Sequence, residues 1–167
     1  YLKVPDSELL MDEFIEAANL CDETINGNSH SEPRYTINGV FDASEAVSST
    51  LDDLHLCCAG EPTYIGGKHG LLVGAYYGPA TMVLDESQIV GDIKIVPETS
   101  WSERINIVQG TFIDPEQGYT EVDYPAVKVD AYIIEDGAEF TTDQKYRFVT
   151  SEFQAQRLAQ IKIGRAH

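Results

Sequence analysis

Asp52 and Asp53 are the first residues whose type invites chemistry, because general acid and base catalysis often uses two carboxylates facing one substrate atom. They are adjacent in a helical pattern, and neighbours on a helix point about 100° apart. The pair therefore reads as part of a solvated face. Cys57, Cys58, His55 and His69 are the nearest thing to a zinc set, but their spacing matches none of the usual ligand patterns. With Cys21 there are three cysteines, an odd count with no C-x-x-C pair, which argues against a disulfide framework. They read as buried or half-buried free thiols in a reduced cytoplasm, and the adjacent Cys57 and Cys58, about 100° apart on a helix, as one facing the core and one not. Asp114, Pro115 and Glu116 have the composition of a calcium loop, and equally of an ordinary turn, which is the commoner use. Gly66, Gly67 and Gly70 lack the G-x-G-x-x-G order of a dinucleotide turn. His30 lies in a polar, turn-rich stretch and reads as a solvated histidine. Nine Tyr, six Phe and one Trp would make a sugar platform only if they shared an exposed face; core and interface packing is their usual role. The sequence thus assigns no catalytic, cofactor-binding or metal-binding residue, and the chain is not expected to be an enzyme.

The elements that would position any site centre on residues 34–75. Residues 34–40 alternate with period two and predict a strand. Asp42 with Glu45 makes a capping-box pattern ahead of a helix whose apolar face is Val47, Leu51, Leu54 and Cys58. Gly60 is placed to end it. Residues 63–65 and 70–75 then form a hairpin through a glycine-rich loop. Before this unit, Asp6 or Ser7 caps a helix running to about Asp22, with Leu10, Phe14, Ala17, Ala18 and Cys21 as its stripe. Residues 22–33 read as a loop.

After it, short strands are expected at 81–84 and 92–96, the latter stopped by Pro97. The longest strand signal is 104–113, where Gly110 suggests a bulge. Two extended pieces flank Pro125, residues 131–137 are ambiguous, and 139–142 is a short strand. A last helix over 151–166 carries Phe153, Leu158, Ala159, Ile161 and Ile163 on its apolar side and Gln154, Arg157, Gln160 and Lys162 on its polar side. This order is not a βαβ repeat. The fold class is α+β: a mostly antiparallel sheet, with curling into a small barrel as the open alternative, one central helix and flanking terminal helices. The divisions are 1–33 (helix and connecting loop), 34–150 (the β-rich body) and 151–167 (the last helix).

The chain has 167 residues, 43% hydrophobic and 23% charged, which suits one domain or two small ones with a real core. Its 28 acidic residues against 11 basic ones leave a net charge of -17. Such a surface should not bind nucleic acid non-specifically or favour anionic membranes. No apolar run is long enough for a transmembrane helix and no leader pattern is present, so membrane insertion is not expected. The chain does not start with Met and ends within a helical pattern, which reads as a piece of a longer polypeptide.

Five stretches together carry a resemblance. They are Phe14-Ile15-Glu16-Ala17-Ala18-Asn19-Leu20-Cys21-Asp22-Glu23, Arg34-Tyr35-Thr36-Ile37-Asn38-Gly39, the helix over 46–60, Arg104-Ile105-Asn106 through Gly110-Thr111-Phe112-Ile113-Asp114-Pro115, and Ala155-Gln156-Arg157-Leu158-Ala159. In order and spacing the chain resembles the central, hub-like part of the host-specificity protein J family, the phage and prophage tail-tip attachment proteins. The resemblance implies a structural domain in a baseplate-hub-like trimeric ring that closes the tail tube and supports host attachment. Other tail-tip and tail-tube proteins would be its partners, and the virion tail tip its place after synthesis in the bacterial cytoplasm. It implies no catalytic residue and no cofactor. A homotrimer of chains at -17 must meet through apolar surface, or by pairing scarce cations such as Arg104 and Arg157 with acids. The loop 66–70 is a candidate contact with a neighbouring subunit. A second reading is a receptor- or glycan-binding module using the tyrosine-rich strands. A third, a peptidoglycan hydrolase, needs facing carboxylates or a metal cleft that the sequence does not offer.

Overall fold

Leu10, Phe14, Ala17 and Cys21 recur at helical spacing, and the chain coils there into α1 (Met11–Asp22) in the computed structural model, which describes residues 4–27, 30–95, 100–101 and 103–166. The expected start at Asp6 or Ser7 is a short 3₁₀ turn, Asp6–Glu8, and the helix proper begins after Leu10. Ala17 is buried and Leu20 and Cys21 pack on the core, while Ala18 is exposed, so the buried stripe is rotated from the expected one. The expected loop over 22–33 instead contains a small antiparallel hairpin of β1 (Thr24–Asn26) and β2 (Ser31–Pro33).

Residues 34–40 are extended but join no ladder, which corrects the strand expected there. Their backbone groups are satisfied piecemeal. Arg34 N–H donates to Glu23 O (2.7 Å), Tyr35 N–H to Cys21 O (3.1 Å) and Asn38 N–H to Phe148 O (2.9 Å). Thr36 N–H donates to the side chain of Gln154. The capping contacts of Asp42 and Glu45 do form: Ser44 N–H donates to Asp42 Oδ1 and Asp42 N–H to Glu45 Oε1. They close a turn, however, and α2 (Val47–Leu56) starts after it.

The end of α2 is a Schellman closure. Gly60 N–H donates to His55 O (2.8 Å) and Ala59 N–H to Leu56 O (3.4 Å). The left-handed position belongs to Ala59 (φ 47°), not Gly60. Gly60 is small for another reason: a Cβ there would lie 2.9 Å from Cys58 Sγ and 3.1 Å from Leu71 Cδ1. β3 (Glu61–Ile65) and β4 (Lys68–Leu72) then form the expected hairpin. Its turn is only Gly66-Gly67, with φ of 59° and 81°, as a two-residue turn of this hand requires. α1 packs against β4, and Leu10 N–H donates to His69 O.

The third sheet is the largest. β5 (Ile107–Asp114) pairs antiparallel with β6 (Thr120–Lys128), α3 (Asp130–Asp136) follows, and β7 (Thr141–Asp143) returns parallel on the other side of β5. The two pieces expected around Pro125 are therefore one strand, and the ambiguous 131–137 lies mostly in a helix. The bulge falls beside Gly110, where Gln109 alone faces Pro125 and Ala126, so proline, which has no N–H to give, sits at the ladder's irregularity. Asn106 pins α3 to this sheet: its Nδ2 donates to Asp136 Oδ2 and Ala138 O, and its Oδ1 accepts from Phe140 N–H.

α4 (Glu152–Ala166) lies across β5 and β6. Val108, Phe112, Tyr124, Tyr146, Phe148 and Val149 meet Ala155, Leu158, Ala159 and Ile163 in a core that also takes in Ala17, Tyr35, Cys57, Cys58 and Val73. Segments 1–33, 34–150 and 151–167 all contribute to it. The fold is α+β, and its strands are divided among three small sheets in the described residues.

Candidate functional site

The residues singled out for chemistry are not gathered into one site. Asp53 lies 3.6 Å from Arg147, whose guanidinium also grips both oxygens of Glu45 at 2.6 Å, while Asp52 is exposed. Cys57 and Cys58 are both buried, which corrects the expectation that one faces outward. Burial pushes their thiols up to about 12 and about 11, so they stay protonated and poorly nucleophilic. Their hydrogens go to backbone carbonyls, Asp53 O and His55 O. His69, on β4, packs against Tyr64. Among the described residues no group of three or more His, Cys, Asp or Glu is placed to hold a metal ion. Asp114 acts as a turn residue: its carboxylate accepts from Glu116 N–H and its carbonyl from Tyr119 N–H.

The polar cluster with the most connected geometry joins the first hairpin to the last helix. Glu32 on β2 accepts from Ser151 Oγ (2.6 Å) and from Arg157 Nη1 (2.6 Å), and lies 2.9 Å from His30 Nε2. Arg157 also donates to Arg34 O. The His30 ring stacks on Phe153 at 4.6 Å between centroids. His30 is exposed in the loop between β1 and β2, as expected, and Phe153, expected inside, stacks on its ring from the rim of the last helix. A groove of about 490 Å³ opens here, lined by Ile25, His30, Val127, Phe153, Gln156 and Gln160. Ser151 donates to Glu32 and not to His30, so the trio lacks the nucleophile–base contact of a hydrolase. What it does is clamp the chain's two ends together.

That clamp predicts a pH dependence. Burial raises the Glu32 carboxyl, but hydrogen bonds from Ser151, Arg157 and His30 outweigh it and hold the group below its ordinary value. A carboxyl depressed in the folded state stabilises above its unfolded pKa, and that stabilisation is lost as pH falls through the folded pKa. Glu32→Gln should therefore cost roughly 2 kcal/mol at pH 7. The gap between variant and wild type in urea unfolding should close below about pH 4. A gap independent of pH would show that the charge on Glu32 contributes nothing.

Arg104 and Arg157, the cations reserved in the sequence for pairing between chains, are paired within this one, with Asp136 and Glu32. The surface stands out instead for apolar exposure. Strands are expected at 81–84 and 92–96, yet none of the described residues from 76 to 95 is in a strand. Val96 and Pro97 lie outside the described residues. The alternation of Asp92, Ile93, Lys94 and Ile95 finds no partner strand among the described residues. Val83 is 87% exposed, Val90 100%, and Tyr76, Met82, Leu84, Ile93 and Ile95 are exposed too. On α2, Val47 and Leu51, expected to face the core, are exposed, and so are Val40 and Phe41 before it. Only Leu54 and Cys58 of that stripe turn inward. The aromatics divide: Tyr35, Phe112, Tyr124, Tyr146 and Phe148 are core, whereas Tyr64 on the β3–β4 hairpin, Tyr76 in the 76–95 segment, and Trp101 and Tyr119 in two separate turns are exposed. No helix among the described residues is long and apolar enough to cross a membrane. No protein-family model matches the chain, and no curated protein matches it.

Proposed function

We propose that this chain is a structural assembly domain of a phage or prophage tail-tip protein, part of a hub-like ring that closes the tail tube and supports host attachment. The observation that carries the assembly reading is the arm at 76–95. A strand-patterned segment holding Met82, Val83, Leu84, Ile93 and Ile95 in water is unfavourable on its own and gains by burial against another chain. The segments before and after it are tied together by polar contacts, Ser151 to Glu32 and Gln154 to Cys57 O, while residues 76–95 stay exposed. Tail-tip identity rests on the five stretches of resemblance in sequence. The receptor-binding alternative would use the exposed tyrosines, which are spread over separate elements.

Two measurements test the proposal. By light scattering the chain should be a monomer in dilute low-salt buffer and should associate at high salt, because screening removes the long-range repulsion between chains at -17 while apolar contact persists. Antibodies to the chain should label one end of the tail in virions from cells that encode it. Labelling of the capsid, or none on particles, would overturn the tail-tip assignment. Monomers at every salt would overturn self-assembly.

A further inference from the structure

A second groove, of about 320 Å³, is lined by Leu56, Ala59, Ile105, Tyr146, Leu158 and Ile161 and rimmed by Lys162 and Arg165. Its cations differ. Arg165 pairs with Glu61 and donates to Ala59 O. Lys162 is half-buried, and its ammonium donates to a neutral amide, Gln144 Oε1, at 2.6 Å. No carboxylate among the described residues comes within ion-pair distance of it. Arg34, Arg104, Arg147, Arg157, Lys128 and Lys145 all have one, and Lys68 and Lys94 are in open water. In a chain with 28 acids, a partly desolvated lysine without an acid is an unfilled position. Desolvation lowers its pKa, which a carboxylate partner would reverse.

The complementary piece is on the arm. Met82, Val83 and Leu84 form an exposed apolar run that leads directly into Asp85 and Glu86. The turn after the run is closed by its own side chains: Ser87 N–H donates to Asp85 Oδ1 and Asp85 N–H to Gln88 Oε1. Asp85 is thereby occupied, and Glu86 is left exposed. We infer that residues 82–86 of one copy dock in the groove of a second copy, with Met82 to Leu84 in the apolar channel and Glu86 paired with Lys162. Charge complementarity selects this occupant. Between two chains at -17 a contact that combines apolar surface with cations meets the least repulsion, and this groove sets Lys162 and Arg165 around apolar surface. The arm's own run does not line the groove. Such a contact is head-to-tail, and it gives a ring if the rotation closes and a filament if it does not. The inference rests on the reading of the chain as an assembly domain.

A labelled peptide of residues 80–91, titrated with the 167-residue chain and followed by fluorescence anisotropy, tests the groove. Saturable binding is expected, about tenfold weaker with Lys162→Glu, and recovered on that variant by a peptide carrying Glu86→Lys. In the whole chain, Lys162→Glu and Glu86→Lys should each impair high-salt association, and the double variant carrying both should restore it. Glu86 lies on the arm away from the core, so its variant carries the test even if the Lys162 variant fails to fold. No saturable binding, or affinities indifferent to both substitutions, overturns the inference. If wild type and both variants associate alike, assembly stands and uses another surface. If the peptide binds while the chain stays monomeric, the occupant is the chain's own arm and the second copy is ruled out. If the chain is monomeric and the peptide unbound, both readings fall.

Discussion

Gly110→Ala should destabilise the protein by about 3–5 kcal/mol, the sum of backbone strain and steric overlap in a site that cannot yield. Gly110 has φ of 147°, a conformation side chains rarely adopt. An added Cβ would stand 2.0 Å from Gln144 O, 2.7 Å from Gln144 C and 2.9 Å from Gln144 N. These are backbone atoms, and they are held on both sides. Gln144 N–H donates to Gln109 O, Gln144 O accepts from Thr111 N–H and from the Tyr124 hydroxyl, and Tyr146 N–H donates to Thr111 O. Relief would require β5 and the continuation of β7 to separate, which opens the core at Val108, Phe112, Tyr146 and Phe148. Gly137→Ala is the control. Its φ of 69° is also left-handed, but nothing lies within 4 Å of a Cβ there, so it should cost only about 1 kcal/mol of strain. Urea midpoints for the two variants separate overlap from strain. A Gly110→Ala chain as stable as Gly137→Ala would mean that residues 144–146 do not pack against β5 as described.

Some of this was legible in the residues and some was not, for a consistent reason. The Gly66-Gly67 hairpin, β5 and α4 are specified by signals lying within the element itself: turn glycines, alternation and helical period. The bulge could be read as well, since a mid-strand glycine and a nearby proline both mark it. What the sequence could not show was whether a pattern finds a partner. Residues 34–40 and 92–96 both alternate. The first is fixed by carbonyls at Cys21, Glu23 and Phe148 and by a side chain 118 residues away, whereas residues 92–95 pair with no strand among the described residues. The stripe on α2 splits for the same reason, because helical period says which residues share a face and not what covers it. Partnering also explains the candidate site. The capping contacts of Asp42 and the turn role of Asp114 are local and were foreseen. The clamp on Glu32 joins residues 119 to 125 apart, and no spacing rule reaches that far.

Gln154→Leu should cost about 3–5 kcal/mol, although the helical pattern places Gln154 on the wet side of α4. Its side chain is fully buried. Its carbonyl oxygen accepts from Thr36 N–H and Thr36 Oγ1, and its amide donates to Thr36 O (3.0 Å) and Cys57 O (2.8 Å). One amide thus takes the place of the strand partner that residues 34–40 lack, and it also holds the end of α2. Leucine fills a similar volume, so the loss is not a cavity. It is the stranding of one N–H and two carbonyls away from water, each at roughly 1–3 kcal/mol. Gln160→Leu on the exposed side of the same helix should change stability by less than about 0.5 kcal/mol. Amide exchange at Thr36 and Asn38 should quicken far more than in β5, because the break is local to that segment. Gln154→Glu adds a test of sign. A carboxylate facing the carbonyls of Thr36 and Cys57 is repelled, so the folded state favours the protonated acid and raises its pKa. Stability relative to wild type should then be lowest at neutral pH and recover as pH falls, because the protonated acid regains one donor. A deficit that widened toward low pH would mean that Gln154 does not donate to those carbonyls.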